Sequence, residues 1–299
     1  MQNHGWPNFF IVGAAKAGTT SLYTYLRQHP QIYMSPVKEP HFFSKPHIPP
    51  EHLYLYQFVS DEDEYLRLFA DAGKHISIGE ASTSYLWDAE CPRQIHERIP
   101  SAKIIVSLRD PIDRAYSHYL MTVRDGIQSL PFYEALLENL AGTRTSFSCL
   151  YIELGLYYEQ IKRYLDTFGP EQVLVLMFED LKQDPREGLE QVADFLNLDR
   201  NPMQAIRFDA VHNPYLALRN KLARGILGIH SLALHKIYRA LLPQSLRIFV
   251  RNRVLYKEKD KPPLDPQSRA LLQKIYAPEL DALEKLLKRD LNTLRKVWS

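Results

Sequence analysis

Phe9-Phe-Ile-Val-Gly13-Ala-Ala-Lys16-Ala-Gly18-Thr19-Thr20-Ser21-Leu22 decides the fold. Four apolar residues predict a buried strand that Gly13 ends, and Ser21 to Gln28 predicts a helix. A strand, a glycine-bearing loop and a helix N-terminus together make an anion site. Loop N–H groups converge, and the first helical turn adds unpaired donors and the positive end of the helix dipole. Lys16 brings a full charge and Thr19, Thr20 and Ser21 bring hydroxyls, so the expected ligand is a phosphate. A Walker-type loop places its lysine directly after the second glycine. Here Thr19 holds that place and Lys16 precedes Gly18 by two residues, which weakens a γ-phosphate and Mg²⁺ reading. An ordinary strand-to-helix turn with a surface lysine is the competing reading of this motif alone.

Outward from this loop, apolar runs alternate with helical patterns. Lys74–Gly79, Lys103–Leu108 and Val173–Phe178 predict further strands. Helices are predicted over Glu62–Phe69, Glu90–Ile99, Pro131–Leu140, Leu156–Phe168 and Arg186–Leu196, the last closed by Asn197. Gln267–Leu287 predicts a further helix, capped by Asp265-Pro266 and interrupted near Pro278. Alternation over residues 9 to 200 implies βαβ units and a parallel sheet. The expected fold is α/β: a P-loop-like three-layer sandwich, its mostly parallel central sheet flanked by helices.

The second predicted strand delivers Glu80, a carboxylate where an open α/β sheet binds ligands. A Ser/Thr-rich helix start is the equal alternative for that stretch. The third delivers Arg109, followed by Asp110 and Pro111 in the N-cap and N1 places of a helix carrying Arg114 and Ser117. Arg109 offers a second anion position, and Arg114 with Ser117, three apart on one helical face, could hold a phosphate; the competing reading pairs Arg109 or Arg114 with Asp110 or Asp113. The segment His29 to Phe43, with three prolines, predicts a loop against the body of the protein, with Lys38 and Glu39 as a solvated pair. Glu179-Asp180 superficially resembles a Walker B carboxylate.

The chain has 299 residues and a formal charge of +2, too small to argue for nucleic acid. Cys91 and Cys149 make neither a disulfide framework nor a metal cluster, and no apolar run is long enough to span a membrane. A polar start without a signal peptide adds the expectation of a cytoplasmic protein. One domain over 1–299 is expected, with residues 213–262 as a helical and basic cap within it. Leu216–Val254 mixes apolar and basic residues without an acid.

The order of these elements resembles the sulfotransferases that use 3′-phosphoadenosine-5′-phosphosulfate (PAPS), closest to the heparan sulfate and bacterial carbohydrate branch. The resemblance rests on Ala15–Leu22, Lys38–Phe43, Gly79-Glu80 with Tyr85, Leu108–Tyr119, Val175–Pro185 and Lys257–Asp265. It implies a sulfonyl transfer that releases adenosine 3′,5′-bisphosphate (PAP) and needs no metal. Lys16, Ala17, Gly18, Thr19, Thr20 and Ser21 would bind the 5′-phosphosulfate, and Lys16 would also neutralise the leaving oxygen. Arg109 and Ser117 would hold the 3′-phosphate, with Lys257 and Lys259 covering it; the family loop usually reads Lys-Gly-Arg, and here it is Lys257-Glu258-Lys259. Glu80 would be the general base, and Lys38 and His41 would lie near the transferred group. Acceptors in view are a small molecule, a carbohydrate, a lipid or a carrier-bound chain. An Mg²⁺-dependent P-loop kinase or NTPase is the alternative enzyme, and a nucleotide-binding protein without turnover the third class.

Overall fold

A computed structural model describes residues 5–44, 48–50, 53, 56–143, 146–208, 216–218, 256–258, 260–296 and 298. Five parallel strands form the central sheet in the order β2-β3-β1-β4-β5. They are β1 (Phe9–Gly13), β2 (Ile32–Met34), β3 (Ser77–Ala81), β4 (Lys103–Leu108) and β5 (Val173–Met177). The register is continuous across the centre, with Phe10 opposite both Glu80 of β3 and Ile104 of β4.

Strand alternation sorts the apolar side chains into two cores. Phe9 and Ile11 pack with Ile105 against α1 (Thr19–Leu26) and α8 (Pro185–Leu196). Phe10 and Val12 pack with Ile104 and Val106 on the opposite face, against α3 (Cys91–Arg98), α6 (Tyr157–Phe168) and α9 (Pro266–Leu287). Each strand is therefore buried on both faces, as a parallel sheet requires. The result is the three-layer sandwich expected from the alternation of elements. The remaining helices are α2 (Glu62–Arg67), α4 (Pro111–Arg124), α5 (Phe132–Leu140) and α7 (Phe178–Gln183).

Four details differ from expectation. Ile32–Met34, expected in a loop, is an edge strand paired with β3. β3 begins and ends two to three residues later than expected and encloses Glu80. Glu179-Asp180 belongs to α7, not to a strand end, and Asp180 faces Arg289 at 3.3 Å. The last helix passes through Pro278 without interruption, because Leu272 and Tyr276 before it and Leu280 and Leu283 after it are all anchored in the core.

In the region expected to be a helical cap, Leu216–Leu218 (β6) and Tyr256–Glu258 (β7) pair as an antiparallel ribbon, with β6 beside α4. Lys257 is thus on a strand, opposite Ala217, where a loop was expected. Lys259 and residues 219–255 lie outside the described residues.

A candidate active-site crevice at the switch point

Chain order places the ligand crevice. From β1 the chain moves to β2 and β3 on one side of the sheet, then crosses to β4 and β5 on the other. Loops leaving the C-terminal ends of β1 and β4 consequently part in opposite directions, and an open α/β sheet takes its ligand there. The loop 14–18 leaves β1 and Arg109 leaves β4. Arg109 Nη1 spans the crevice by donating to the Lys16 carbonyl at 3.2 Å.

The β1 loop is fixed from below. Ala14 N–H donates to the Ser107 carbonyl at 2.7 Å, and Ser107 Oγ donates to the Ala17 carbonyl at 2.6 Å. Gly18 caps α1 at φ +79°, where a Cβ would meet the Phe178 ring at 2.6 Å, so no other residue fits. Its first turn has no acid and no side-chain cap. The N–H groups of Thr19, Thr20 and Ser21 thus keep their donor capacity for an anion. Burial lowers the Lys16 ammonium to about 8, helped by Arg124 and Arg109 and opposed by Asp125 and Glu39. An incoming anion reverses the balance and keeps it protonated.

Helix α4 forms the floor. Asp110 caps it by accepting from Ile112 and Asp113 N–H. Asp113, Ser117 and Met121 follow at intervals of four and share one stripe. Asp113 accepts from Arg109 at 3.1 Å, and Met121 Sδ receives the Lys16 ammonium at 3.4 Å. Ser117 lies between these contacts, on the face toward the crevice. Arg114 points elsewhere: it is fully buried and donates to the Tyr151 carbonyl. The structure thus shows the competing reading of Arg109 as partner of Asp113.

Backbone strain marks a second loop. Among the described residues five non-glycines adopt positive φ. Asn197 and Lys288 are helix C-caps, where that conformation is routine. The other three are Lys16 (φ 71°), Glu39 (φ 62°) and His41 (φ 53°). Strain of this kind persists only where surroundings enforce it, and it gathers at functional sites.

Glu39 is held by its own N–H on the Ala81 carbonyl at 2.8 Å, so the β2 loop is tied to the end of β3. Lys38 Nζ at 2.7 Å and Thr83 Oγ1 at 3.1 Å both donate to its Oε1, while Oε2 lies 4.0 Å from His41 Nε2. Burial favours its neutral acid, but Lys38, His41 and the Thr83 hydroxyl outweigh that and hold the carboxyl at about 2. His41 is buried against Ser84 Oγ at 2.7 Å, and burial lowers its pKa, so it is neutral at pH 7.

Glu80 occupies a different environment. Its exposure is 0%, and the hydroxyls of Tyr65 and Tyr85 donate to its Oε2 at 3.3 and 3.4 Å. Burial drives its carboxyl up to about 8 against those hydrogen bonds. A carboxyl raised in the fold binds its proton across the interval from the ordinary carboxylate range to about 8, where the unfolded chain has lost it. Folding stability from this group therefore falls as pH rises through that window. Thermal unfolding of Glu80→Gln should show a weaker loss of stability between pH 5 and 8 than the wild-type chain; equal slopes would contradict the buried neutral acid.

Glu39 is the residue that sequence reasoning passed over. Lys38-Glu39-Pro40-His41 places charges beside a proline directly after a short apolar run, and on composition alone a solvated pair was the favoured reading. Asp113 and Lys261 are also new to the site: Lys261 Nζ meets Asp113 Oδ1 at 2.9 Å.

The sulfotransferase domain family matches residues 7–217. The chain belongs to the sulfotransferase family. Carbohydrate sulfotransferase 15 of Mus musculus is 31% identical over 248 positions, covering 64% of this chain and 44% of that protein. Heparan sulfate glucosamine 3-O-sulfotransferase 6 of Homo sapiens is 31% identical over 197 positions, 65% of this chain and 53% of that protein. The chain thus spans about half the length of the curated relatives it matches. Among solved structures, a sulfotransferase from Alicyclobacillus acidocaldarius superposes with a TM-score of 0.73 at 32% identity, covering 97% of this chain and 99% of that one. The mouse sulfotransferase SULT7A1, crystallised with PAP, shares the fold at a TM-score of 0.52 and 15% identity, over 95% of this chain and 89% of that one. This family sets aside the kinase alternative, whose Walker B carboxylate is also lost to α7.

Proposed function

We propose that this sulfotransferase moves a sulfonyl group from PAPS to an acceptor hydroxyl or amine by in-line displacement, releasing PAP. The observation that carries the proposal is the pairing of Lys16 and Arg109 across the switch-point crevice. It offers two cationic positions on one cradle, as a nucleotide with phosphates at both ends of its ribose requires. PAPS brings the activated group, so the protein's work is alignment and charge stabilisation. Lys16 places an ammonium at the loop where the leaving oxygen gains charge, beside the open N–H groups of Thr19, Thr20 and Ser21. Arg109 and Ser117 receive the 3′-phosphate; Lys257, on β7, is a further candidate for that phosphate, and Lys259 lies outside the described residues.

The general base is the finer part of the proposal. Glu80 is the expectation from sequence, yet its full enclosure and its two tyrosine hydroxyls favour Glu39. Glu39 is about one third exposed, and its charge acts on Lys16. Oε1 is held by Lys38 and Thr83, which leaves Oε2, toward neutral His41, to receive the acceptor's proton. Glu80 then acts as a buried neutral acid that fixes Tyr65 and Tyr85 behind the loop. The carboxylate Glu39 is a weak base, and proton transfer to it comes late, once the new sulfur–oxygen bond has made the hydroxyl acidic.

The relatives' names support a carbohydrate acceptor. The long lipidic or carrier-bound acceptor suggested by Leu216–Val254 rests on residues outside those described, Leu216–Leu218 excepted. With Cys91 and Cys149 buried and unbridged, we place the protein in the cytoplasm. Incubation with ³⁵S-labelled PAPS and a panel of saccharides, lipids and acyl carriers, in the presence of a chelator, should label a saccharide. Absence of transfer to every acceptor class with folded protein counts against the proposal; labelling of a lipid or acyl carrier alone overturns its acceptor.

A further inference from the structure

We propose that Asp113 competes with the 3′-phosphate for Arg109 and Lys261, and that Lys261 is itself a ligand of that phosphate. The inference rests on the functional reading above, in which the 3′-phosphate lies at Arg109.

The three side chains form a linear bridge between distant parts of the chain. Arg109 Nη2 donates to Asp113 Oδ2 at 3.1 Å, and Lys261 Nζ donates to Asp113 Oδ1 at 2.9 Å. Each cation is steadied by a ring: the Arg109 guanidinium lies 4.9 Å from the Phe178 centroid, and the Lys261 ammonium 4.8 Å from that of Tyr116. Those rings fix the cations independently of the carboxylate between them. Arg109 also keeps a buried Nε without a partner among the described residues. The set therefore has donors beyond those the carboxylate uses.

A phosphate monoester fits this set better than the carboxylate does. It offers three oxygens where Asp113 offers two, and close to two negative charges where Asp113 offers one. Both anions cannot share the cations at full strength, since like charges at contact distance repel. Arrival of the phosphate thus exchanges Asp113 for a doubly charged partner, and Lys261 changes from partner of Asp113 to partner of the ligand. Lys261 is three residues beyond β7, so the exchange also engages the segment that carries Lys257. A nucleotide lacking the 3′-phosphate draws nothing from this exchange, so Asp113 tempers the affinity for 3′-phosphorylated nucleotides alone and leaves others unaffected.

Calorimetric titration of PAP and of adenosine 5′-monophosphate into wild-type, Asp113→Asn and Lys261→Ala proteins tests the idea, with unfolding midpoints measured first. Asparagine keeps the shape and removes the charge; Asp113→Ser is the substitute if the asparagine variant does not fold. Asp113→Asn should bind PAP about tenfold more tightly, and Lys261→Ala about tenfold more weakly. Binding of the 5′-monophosphate should change less than about twofold in either. Weaker or unchanged PAP binding by the Asp113 variants would make Asp113 an orienting partner and overturn the competition. Unchanged PAP binding by Lys261→Ala would remove that residue from the site. Wild-type protein that is folded and binds no PAP would instead defeat the functional reading beneath both.

Discussion

Lys16→Ala should lower kcat by about 10²–10³-fold, the typical cost of removing one pre-organised charge from a developing oxyanion. The loop that holds Lys16 is independent of its ammonium. Ser107 fixes the Ala14 and Ala17 ends, and the left-handed backbone at Lys16 is as demanding for alanine as for lysine. The variant should therefore fold with a melting temperature at or above that of the wild-type chain, since a half-buried cation has been removed. The pH profile gives a second signature. The ammonium is required protonated and sits at about 8 in the free protein, so kcat/KM should fall as pH rises through about 8. With PAPS saturating, that limb in kcat should move to higher pH, because the bound anion favours the protonated form. A kcat within about threefold of wild type would remove Lys16 from the chemistry.

Glu39→Gln should cost about 10²–10⁴-fold in kcat while leaving PAP affinity within about threefold, because glutamine keeps the shape but takes no proton. Glu80→Gln should keep most of the activity. Two physical differences separate these carboxyls. Glu39 lies near 2 and is ionised at every working pH, so its use as base predicts no acidic limb in kcat/KM above pH 5. Glu80 lies near 8, and its use as base would predict a rate rising with pH and levelling off above about 8. Rates and titrations of the two variants between pH 5 and 9 decide the assignment. An inactive Glu80→Gln protein that still binds PAP, beside an active Glu39→Gln protein, would return the role to Glu80.

Local signals account for the elements that were legible in the sequence. Lys103–Leu108 is one apolar run covered on both faces, and Asp110-Pro111 is a helix start that carries its own cap, so β4 and α4 were readable from neighbouring residues alone. Gly13, Gly18 and Lys16 likewise marked the loop between β1 and α1. β2 did not announce itself because three residues between prolines become a strand only through pairing with β3, more than forty positions away. Glu80 was expected just beyond a strand end, and its place inside β3 was hidden for a related reason. A carboxylate in an apolar run reads as a strand end, whereas here Tyr65 of α2 and Tyr85 supply the hydroxyls that let it stay inside. Asp113 and Lys261 are 148 positions apart, and no local pattern joins them. Strain at Glu39 and His41 is likewise a property of the folded backbone.

The central claim is that the crevice between Lys16 and Arg109 holds a nucleotide with phosphates on both sides of the ribose, without a metal. Calorimetric titration of PAP into the wild-type chain in the presence of a chelator, beside Arg109→Ala, tests it most directly. Saturable one-to-one binding that Arg109→Ala weakens by at least about tenfold is the predicted result. Binding of ATP only with Mg²⁺, and none of PAP, would contradict it.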